Sequence, residues 1–474
     1  MVFSSITFLV YFLPLLLLLY QVIGKEYKNA LLLVASIFFY SWGAPKFIFV
    51  ILGTTFLDFF LVRLMDESLN HRGRKALLVL SVSMNLGLLF YFKYCNFFIV
   101  NANEALSALN IKQLSLLKVV LPIGISFYTF ESLTYVVDVY RKVHKPLKKF
   151  WDYQLYIILF PKLIAGPIIR YHEIADQIAD RSAQDTIDNK LLGFFRFTMG
   201  LAKKVFVANT MAVYADEAFA TAPELLNASG AWLGMLSYTF QIYFDFSGYS
   251  DMAIGLAKMF GFNFPENFEN PYTSQSISEF WRRWHISLGK WMKNYLYIPL
   301  GGNRIGSRRI YFNLCLVFLA SGFWHGASWT FITWGMYHGF FLILDRLFLL
   351  RFLRWFGKVP ATIITFLLVS FGWVLFRADT IEKAALFYSK LASFDFGSRP
   401  YLIDSQFIFY FCLALFFSFF TSANLGLSIQ QNVYFSHRSL KANFTYTLIS
   451  FLLFSLALAS LTSSEFNPFI YFRF

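Results

Sequence analysis

The chain has 474 residues, 57% of them hydrophobic and only 14% charged, with a mean hydropathy of +0.54. Soluble domains carry about 25% charged residues to face water, so this composition excludes a string of soluble domains of roughly 150 residues each and defines a polytopic membrane protein. Net charge is +14, without the dense basic patch that reads nucleic acid; the excess orients membrane spans, because Lys and Arg collect in cytoplasmic loops.

A helix needs about 20 apolar residues to cross the hydrocarbon core. Apolar stretches predict spans at 3–23, 29–44, 46–65, 76–98, 118–140, 191–213, 231–258, 359–377, 406–426 and 442–463. The first lacks the positive flank and small-residue cleavage site of a signal peptide and reads as a retained span. Basic loops occur at Arg72–Lys75, Arg141–Lys149, Asn303–Arg309 and Arg351–Lys358. The positive-inside rule puts these loops in the cytoplasm and both termini outside. Residues 150–170 then lie between two inside loops, and Pro161, Gly166 and Pro167 interrupt any helix there. A re-entrant segment is expected, because broken backbone is tolerated where protein surrounds it. The stretch 310–349 also starts and ends inside, so it is expected to be a hairpin or double crossing that turns near Ser321–Gly326. No internal repeat or separate soluble domain is evident, and 1–474 reads as one integral-membrane domain. Cys95, Cys315 and Cys412 all sit in apolar stretches and imply no disulfide framework.

Ionisable groups inside membrane segments are costly and are functional candidates by default. In Tyr243-Phe-Asp-Phe-Ser-Gly-Tyr-Ser-Asp251, Asp245 and Asp251 are separated by about 600° round a helix, so they face apart and form no dyad. The plain reading is that each pairs with an Arg or Lys, or caps a helix broken near Gly248. In Ser276–Leu300, Trp281, Trp284, Leu288, Trp291 and Tyr295 recur at helical spacing, with Glu279, Arg282, Arg283, Lys290, Lys293 and Asn294 mostly on other faces. An amphipathic helix in the cytoplasmic interface is expected there. Its cations would neutralise lipid phosphates or hold a phosphorylated ligand such as coenzyme A, and His285 lies at the border of its faces. In Phe323-Trp-His-Gly-Ala-Ser-Trp329, His325 stands at a Gly-flanked turn at membrane depth, where an imidazole needs a purpose or a partner. His338, in Trp334-Gly-Met-Tyr-His-Gly339, would face away from His325 on a continuous helix and reads as hydrogen-bonded structure. No HExxH, other zinc spacing, Walker A loop or GxSxG occurs, so no metal is expected.

Together, Tyr243–Asp251, Glu279-Phe-Trp-Arg-Arg-Trp-His-Ile-Ser-Leu288, Tyr297-Ile-Pro-Leu-Gly-Gly-Asn-Arg304 and Phe323-Trp-His-Gly326 resemble the membrane-bound O-acyltransferases, in particular their bacterial alginate O-acetylase branch. Leu121-Pro-Ile-Gly-Ile-Ser-Phe-Tyr128 and Leu163-Ile-Ala-Gly-Pro167 are similar to that branch as well. The resemblance implies an all-α polytopic fold with its catalytic core over 118–377. A ring of about 10–12 transmembrane helices, with re-entrant and interfacial helices, would surround a central tunnel. The family's central histidine maps onto His325, and its second polar position, His or Asn in different members, onto His285. The final Phe469-Ile-Tyr-Phe-Arg-Phe474 resembles the FxYxxF motif at the C-termini of this branch and of small partners in lipoteichoic acid D-alanylation. By that resemblance Tyr471 would accept the acyl group and pass it on outside. A phenol, with its pKa near about 10, leaves more readily than an alkyl alcohol, so relay from thioester to sugar ester runs downhill. The plain alternative is an aromatic anchor at the membrane surface.

The expected function is acyl transfer across a bacterial inner membrane for O-acetylation of a cell-surface polysaccharide. The donor, acetyl-CoA or another acyl thioester, would enter from the cytoplasm as substrate, with its phosphates near Arg282, Arg283 and Arg304; no bound cofactor is expected. His325 would serve as general base. The expected partners are membrane lipid and a separate extracytoplasmic acetyltransferase that finishes the reaction on polysaccharide. The rival class is a transporter or flippase of an acylated substrate, since buried Asp and His also suit proton-coupled transport. A non-catalytic scaffold is the third reading.

Overall fold

A computed structural model describes residues 1–222, 224–304, 306–397, 403–435 and 439–463. Every regular element among them is helical. Among the described residues five helices are long and apolar enough to cross a membrane: Ile48–Glu67, His71–Ala108, Lys358–Arg377, Ser405–Ser422 and Lys441–Ser463. The remaining expected spans are also helical, but they are short, interrupted or charged. Residues 118–140, for example, become helical only from Ile125, and 191–213 contains a π turn at Lys203–Ala208. The chain divides into two compact units, Met1–Thr186 with Phe260–Phe264, and Ile187–Met259 with the chain from Pro265 onward.

The first unit contains α1 (Thr7–Val22), α2 (Lys28–Gly43), α3 (Ile48–Glu67), α4 (His71–Ala108), α5 (Ile125–Tyr140), α6 (Phe150–Ile158), α7 (Phe160–Leu163) and α8 (Tyr171–Ala179). Between α6 and α8 the backbone breaks twice, at Leu159 and again over 164–170, as Pro161, Gly166 and Pro167 require. The freed backbone groups find side chains. Phe160 N–H donates to Ser36 Oγ at 3.1 Å, and Tyr156 Oη donates to the Ile169 carbonyl at 2.9 Å. This is how irregular backbone persists in a buried setting. Lys162 on α7 pairs with Glu131 on α5, both fully buried, and its ammonium lies 4.7 Å from the Tyr156 ring centre. Gly124, at φ +76°, admits the closest approach, since a Cβ there would stand 2.5 Å from the Leu163 carbonyl oxygen. Neither the Glu131–Lys162 pair nor buried Asp58 of α3 figures in the sequence expectations. Asp58 accepts hydrogen bonds from Asn85 Nδ2 at 2.8 and 3.0 Å and from the Ser81 hydroxyl.

The second unit contains α9 (Ile187–Ala202), α10 (Asn209–Ala220), α11 (Ala228–Met259), α12 (Ile277–Arg283), α13 (Ile286–Trp291), α14 (Ser307–His325), α15 (Trp329–Leu344), α16 (Leu350–Phe356), α17 (Lys358–Arg377), α18 (Ile381–Leu391), α19 (Ser405–Phe419), α20 (Asn424–Phe435) and α21 (Leu440–Ser463). Helices α9 and α11 run antiparallel and touch through paired glycines. A Cβ on Gly200 would lie 2.4 Å from the Gly248 carbonyl oxygen, and one on Gly255 would lie 2.5 Å from that of Gly193. Small residues let membrane helices approach at backbone distance, where dispersion rather than water expulsion holds them together. Gly255→Leu is therefore expected to lower the melting midpoint of the detergent-purified protein. The cost should reach or exceed the usual overpacking range of about 1–3 kcal/mol, because the clashing atoms are backbone and cannot rotate away. A melting curve matching wild type would show that α9 and α11 do not meet at these glycines.

Helices α14 and α15 form the hairpin expected over 310–349. Its turn lies at Gly326–Ser328, just beyond the expected position, because α14 stays hydrogen-bonded through His325. Glycines again set the spacing: a Cβ on Gly335 would lie 2.4 Å from the Phe318 carbonyl oxygen. The single amphipathic helix expected over 276–300 does not form. The chain breaks between α12 and α13 at His285, whose backbone is left-handed at φ 46°, ψ 53°. Trp284, Leu288 and Trp291 of the aromatic stripe are buried in the protein interior rather than laid on lipid. Periodicity alone does not distinguish an interior stripe from an interfacial one, and here packing against α15 and α17 decides it.

Candidate active site

The candidate residues that can be placed all belong to the second unit. His325 closes α14, and three aromatic rings surround its imidazole: Trp324 with centres 4.9 Å apart, Phe376 at 5.1 Å and Trp334 at 5.3 Å. His285 stands against the same indole, 6.2 Å from Trp324, and edge-on to Phe246 at 4.7 Å. The two histidines that the resemblance pairs thus both stand against Trp324. Both are buried, His285 at 2% exposure and His325 at 7%.

The break at His285 has a local cause. After α11 the chain has no regular secondary structure through 262–268, and Asn267 lies beside the α12–α13 junction. Glu269 N–H donates to the Arg283 carbonyl, and Ile286 N–H donates to the Asn267 carbonyl, each at 2.9 Å. The Asn267 side chain fills the gap. Its Oδ1 accepts from Ser287 Oγ at 2.8 Å and Ser287 N–H at 3.2 Å, and lies 3.1 Å from His285 Nδ1. Its Nδ2 donates to Ser250 Oγ at 3.1 Å. Burial without a nearby anion lowers the His285 pKa from the usual 6.5 to about 3, so the ring is neutral. Its Nε2 has no hydrogen-bond partner among the described residues.

His338 joins the same aromatic cluster. Its ring lies 5.1 Å from Trp334 and 4.9 Å from Trp281, and neither ring nitrogen has a hydrogen-bond partner among the described residues. The expectation of a hydrogen-bonded histidine facing away from His325 assumed one continuous helix. The chain instead reverses at Gly326–Ser328, and both rings contact Trp334 from the two arms of a hairpin.

Asp245 and Asp251 have separate cationic partners. Asp245 pairs with Lys204 at 2.9 Å, while Asp251 takes Lys203 at 2.6 Å and Arg196 at 2.7 Å. Arg196 also binds Glu266. The two consecutive lysines open the π turn Lys203–Ala208 and, pointing in different directions as neighbours on a helix do, each serve one of the two aspartates. Arg283 is engaged by Glu279 at 2.7 Å and donates to Thr273 Oγ1 at 3.0 Å. Arg282 and Arg304 are exposed. Tyr471 lies outside the described residues. Asn267, Lys203, Lys204 and Trp334 were not singled out in the sequence. For Asn267 no local signal exists, since its segment has no regular secondary structure and its contacts are made across 18 and 20 residues.

A buried polar cluster of this kind, enclosed by aromatic rings in a chain with membrane-crossing helices, fits an enzyme that works within the membrane, and sequence comparison names the class. Residues 84–376 match the profile of the MBOAT, membrane-bound O-acyltransferase family, and the chain belongs to that family. It is a multi-pass inner-membrane acyltransferase. Over the whole of both chains it is 40% identical to the probable alginate O-acetylase AlgI of Pseudomonas putida. It is 38% identical to a peptidoglycan O-acetyltransferase of Helicobacter pylori, over 81% of this chain and 78% of that protein. A teichoic acid D-alanyltransferase of Bacillus subtilis is 28% identical over 54% of this chain and 68% of its own. Family membership makes the chain an enzyme rather than the transporter or scaffold that its buried ionisable groups would also suit.

Proposed function

We propose that this enzyme moves an acetyl group from cytoplasmic acetyl-CoA to an extracytoplasmic acceptor used in O-acetylation of a cell-surface polysaccharide. The observation that carries the reading is the placement of His285 and His325 against the same Trp324 ring, inside an aromatic enclosure. The names of the alginate and peptidoglycan relatives support an acetyl group and a glycan as the end acceptor. His325 removes the proton from the attacking hydroxyl, which adds to the thioester carbonyl; the C–S bond then breaks, and the coenzyme A thiolate takes up that proton. The carbonyl end of α14 favours the positive charge that His325 carries meanwhile. Arg282, Arg283 and Arg304 receive the donor's phosphates, Arg283 while held by Glu279. Tyr471 supplies the attacking hydroxyl and then yields the acetyl group to an acceptor hydroxyl, with a separate extracytoplasmic transferase completing delivery to the polymer.

Radiolabelled acetyl-CoA supplied to the purified protein in vesicles tests this. Wild type is expected to become labelled and to release free coenzyme A, whereas Tyr471→Phe should take up no label. Label persisting on Tyr471→Phe would remove the tyrosine relay. Absence of coenzyme A release from wild type, with an acceptor present, would overturn the donor assignment.

A further inference from the structure

We infer that Asn267 is a positioning residue that holds His285 with its proton on Nδ1, leaving Nε2 as a hydrogen-bond acceptor for an O–H or N–H of the substrate. The role of that acceptor rests on the acyl-transfer reading above; the tautomer itself does not.

The assignment follows from a donor whose identity is fixed. A backbone N–H can only donate. Ser287 N–H points at one end of the Asn267 amide from 3.2 Å, so that end is the oxygen. The Ser287 hydroxyl reaches the same atom at 2.8 Å, and the opposite end, Nδ2, donates to Ser250 Oγ. The amide orientation is therefore set by the Ser287 N–H, and the two serine hydroxyls, which can donate or accept, are compatible with it. His285 Nδ1 stands 3.1 Å from this oxygen. Two lone pairs facing each other at that distance would repel, so Nδ1 carries the hydrogen. A neutral imidazole has one proton, and Nε2 is left with its lone pair. Nε2 is buried with no hydrogen-bond partner among the described residues, which is a costly state for a polar atom unless a ligand or water completes it. The left-handed backbone of His285 adds strain that the surrounding hydrogen bonds must hold. A ring nitrogen fixed as acceptor cannot donate to the thioester carbonyl, so any substrate group that meets it must be a donor.

Histidine side-chain NMR of the protein in lipid, labelled with 13C and 15N at histidine, tests the tautomer directly. His285 is identified by the signal lost in His285→Ala. The expected result is a neutral ring protonated at Nδ1, changed in Asn267→Leu and retained in Asn267→Asp, whose oxygens both accept. A ring protonated at Nε2 in wild type would overturn the assignment whatever the enzyme's donor proves to be.

The second readout is coenzyme A release. Loss of the correct histidine tautomer has cost as much as about 10⁴-fold in kcat in a serine protease, and loss of an outer-shell partner typically costs about 10–100-fold. Asn267→Leu is expected to lower kcat about 100-fold and to have little further effect in His285→Ala, while Asn267→Asp stays within about tenfold of wild type. Equal losses from Asn267→Leu in both backgrounds would mark Asn267 as structural and defeat the positioning role.

Discussion

Replacing His325 with alanine is expected to reduce acyl transfer by about 10²–10⁴-fold, the usual worth of a positioned general base, without loss of the folded protein. The imidazole closes α14 and contacts Trp324, Trp334 and Phe376, so the three rings lose their common neighbour but keep their own supports. Trp334 remains 6.0 Å from Trp373 and 5.1 Å from Phe376. The hairpin itself is set by backbone contact at Gly322 and Gly335, which the substitution leaves alone. His325→Gln keeps most of the volume and removes the base, and separates a packing loss from a chemical one. Coenzyme A release together with gel-filtration behaviour in detergent provides the measurement. If either variant retains more than a third of wild-type turnover, His325 is not the base.

The second large effect concerns stability. Asp251→Ala is expected to destabilise the protein by about 3–5 kcal/mol, the range for breaking a buried ion pair by removing one partner. The Asp251 side chain is 8% exposed and answers both Lys203 and Arg196. Arg196 keeps Glu266 at 2.5 Å, whereas Lys203 would lose the carboxylate it pairs with in a partly desolvated position. Asp251→Asn should be only slightly milder, since it keeps the shape and loses the charge. Pairing Asp251→Ala with Lys203→Met is expected to restore part of the loss, because removing both charges cancels the desolvation cost. Thermal unfolding of the detergent-purified variants gives the comparison. A single variant within about 1 kcal/mol of wild type, the scale of an exposed pair, would mean that water reaches this network freely.

Composition decided the environment without help from the fold: 14% charged residues cannot cover a protein of 474 residues in water. Charge placement foresaw the hairpin at 310–349, and Pro161, Gly166 and Pro167 foresaw the broken segment after α6, because these signals act on the backbone within a few residues. The motif runs around Asp245, His285 and His325 pointed to the right family for the same reason, being contiguous stretches. Helical periodicity served less well. It assumed that 276–300 and 323–339 each continue as one helix, and both are interrupted, one at His285 and the other at Gly326–Ser328.

What the tertiary structure alone decided is the partner of each buried polar group. Glu131 meets Lys162, Asp251 meets Arg196 and Lys203, and Asn267 meets His285, across separations of 31, 55, 48 and 18 residues. Burial makes such pairing obligatory, since an unpaired charge or amide in an apolar interior costs several kcal/mol. The sequence therefore announces that partners exist. It does not say which, because spacing along a helix reports only neighbours within about a turn or two, while these contacts are created when distant helices pack.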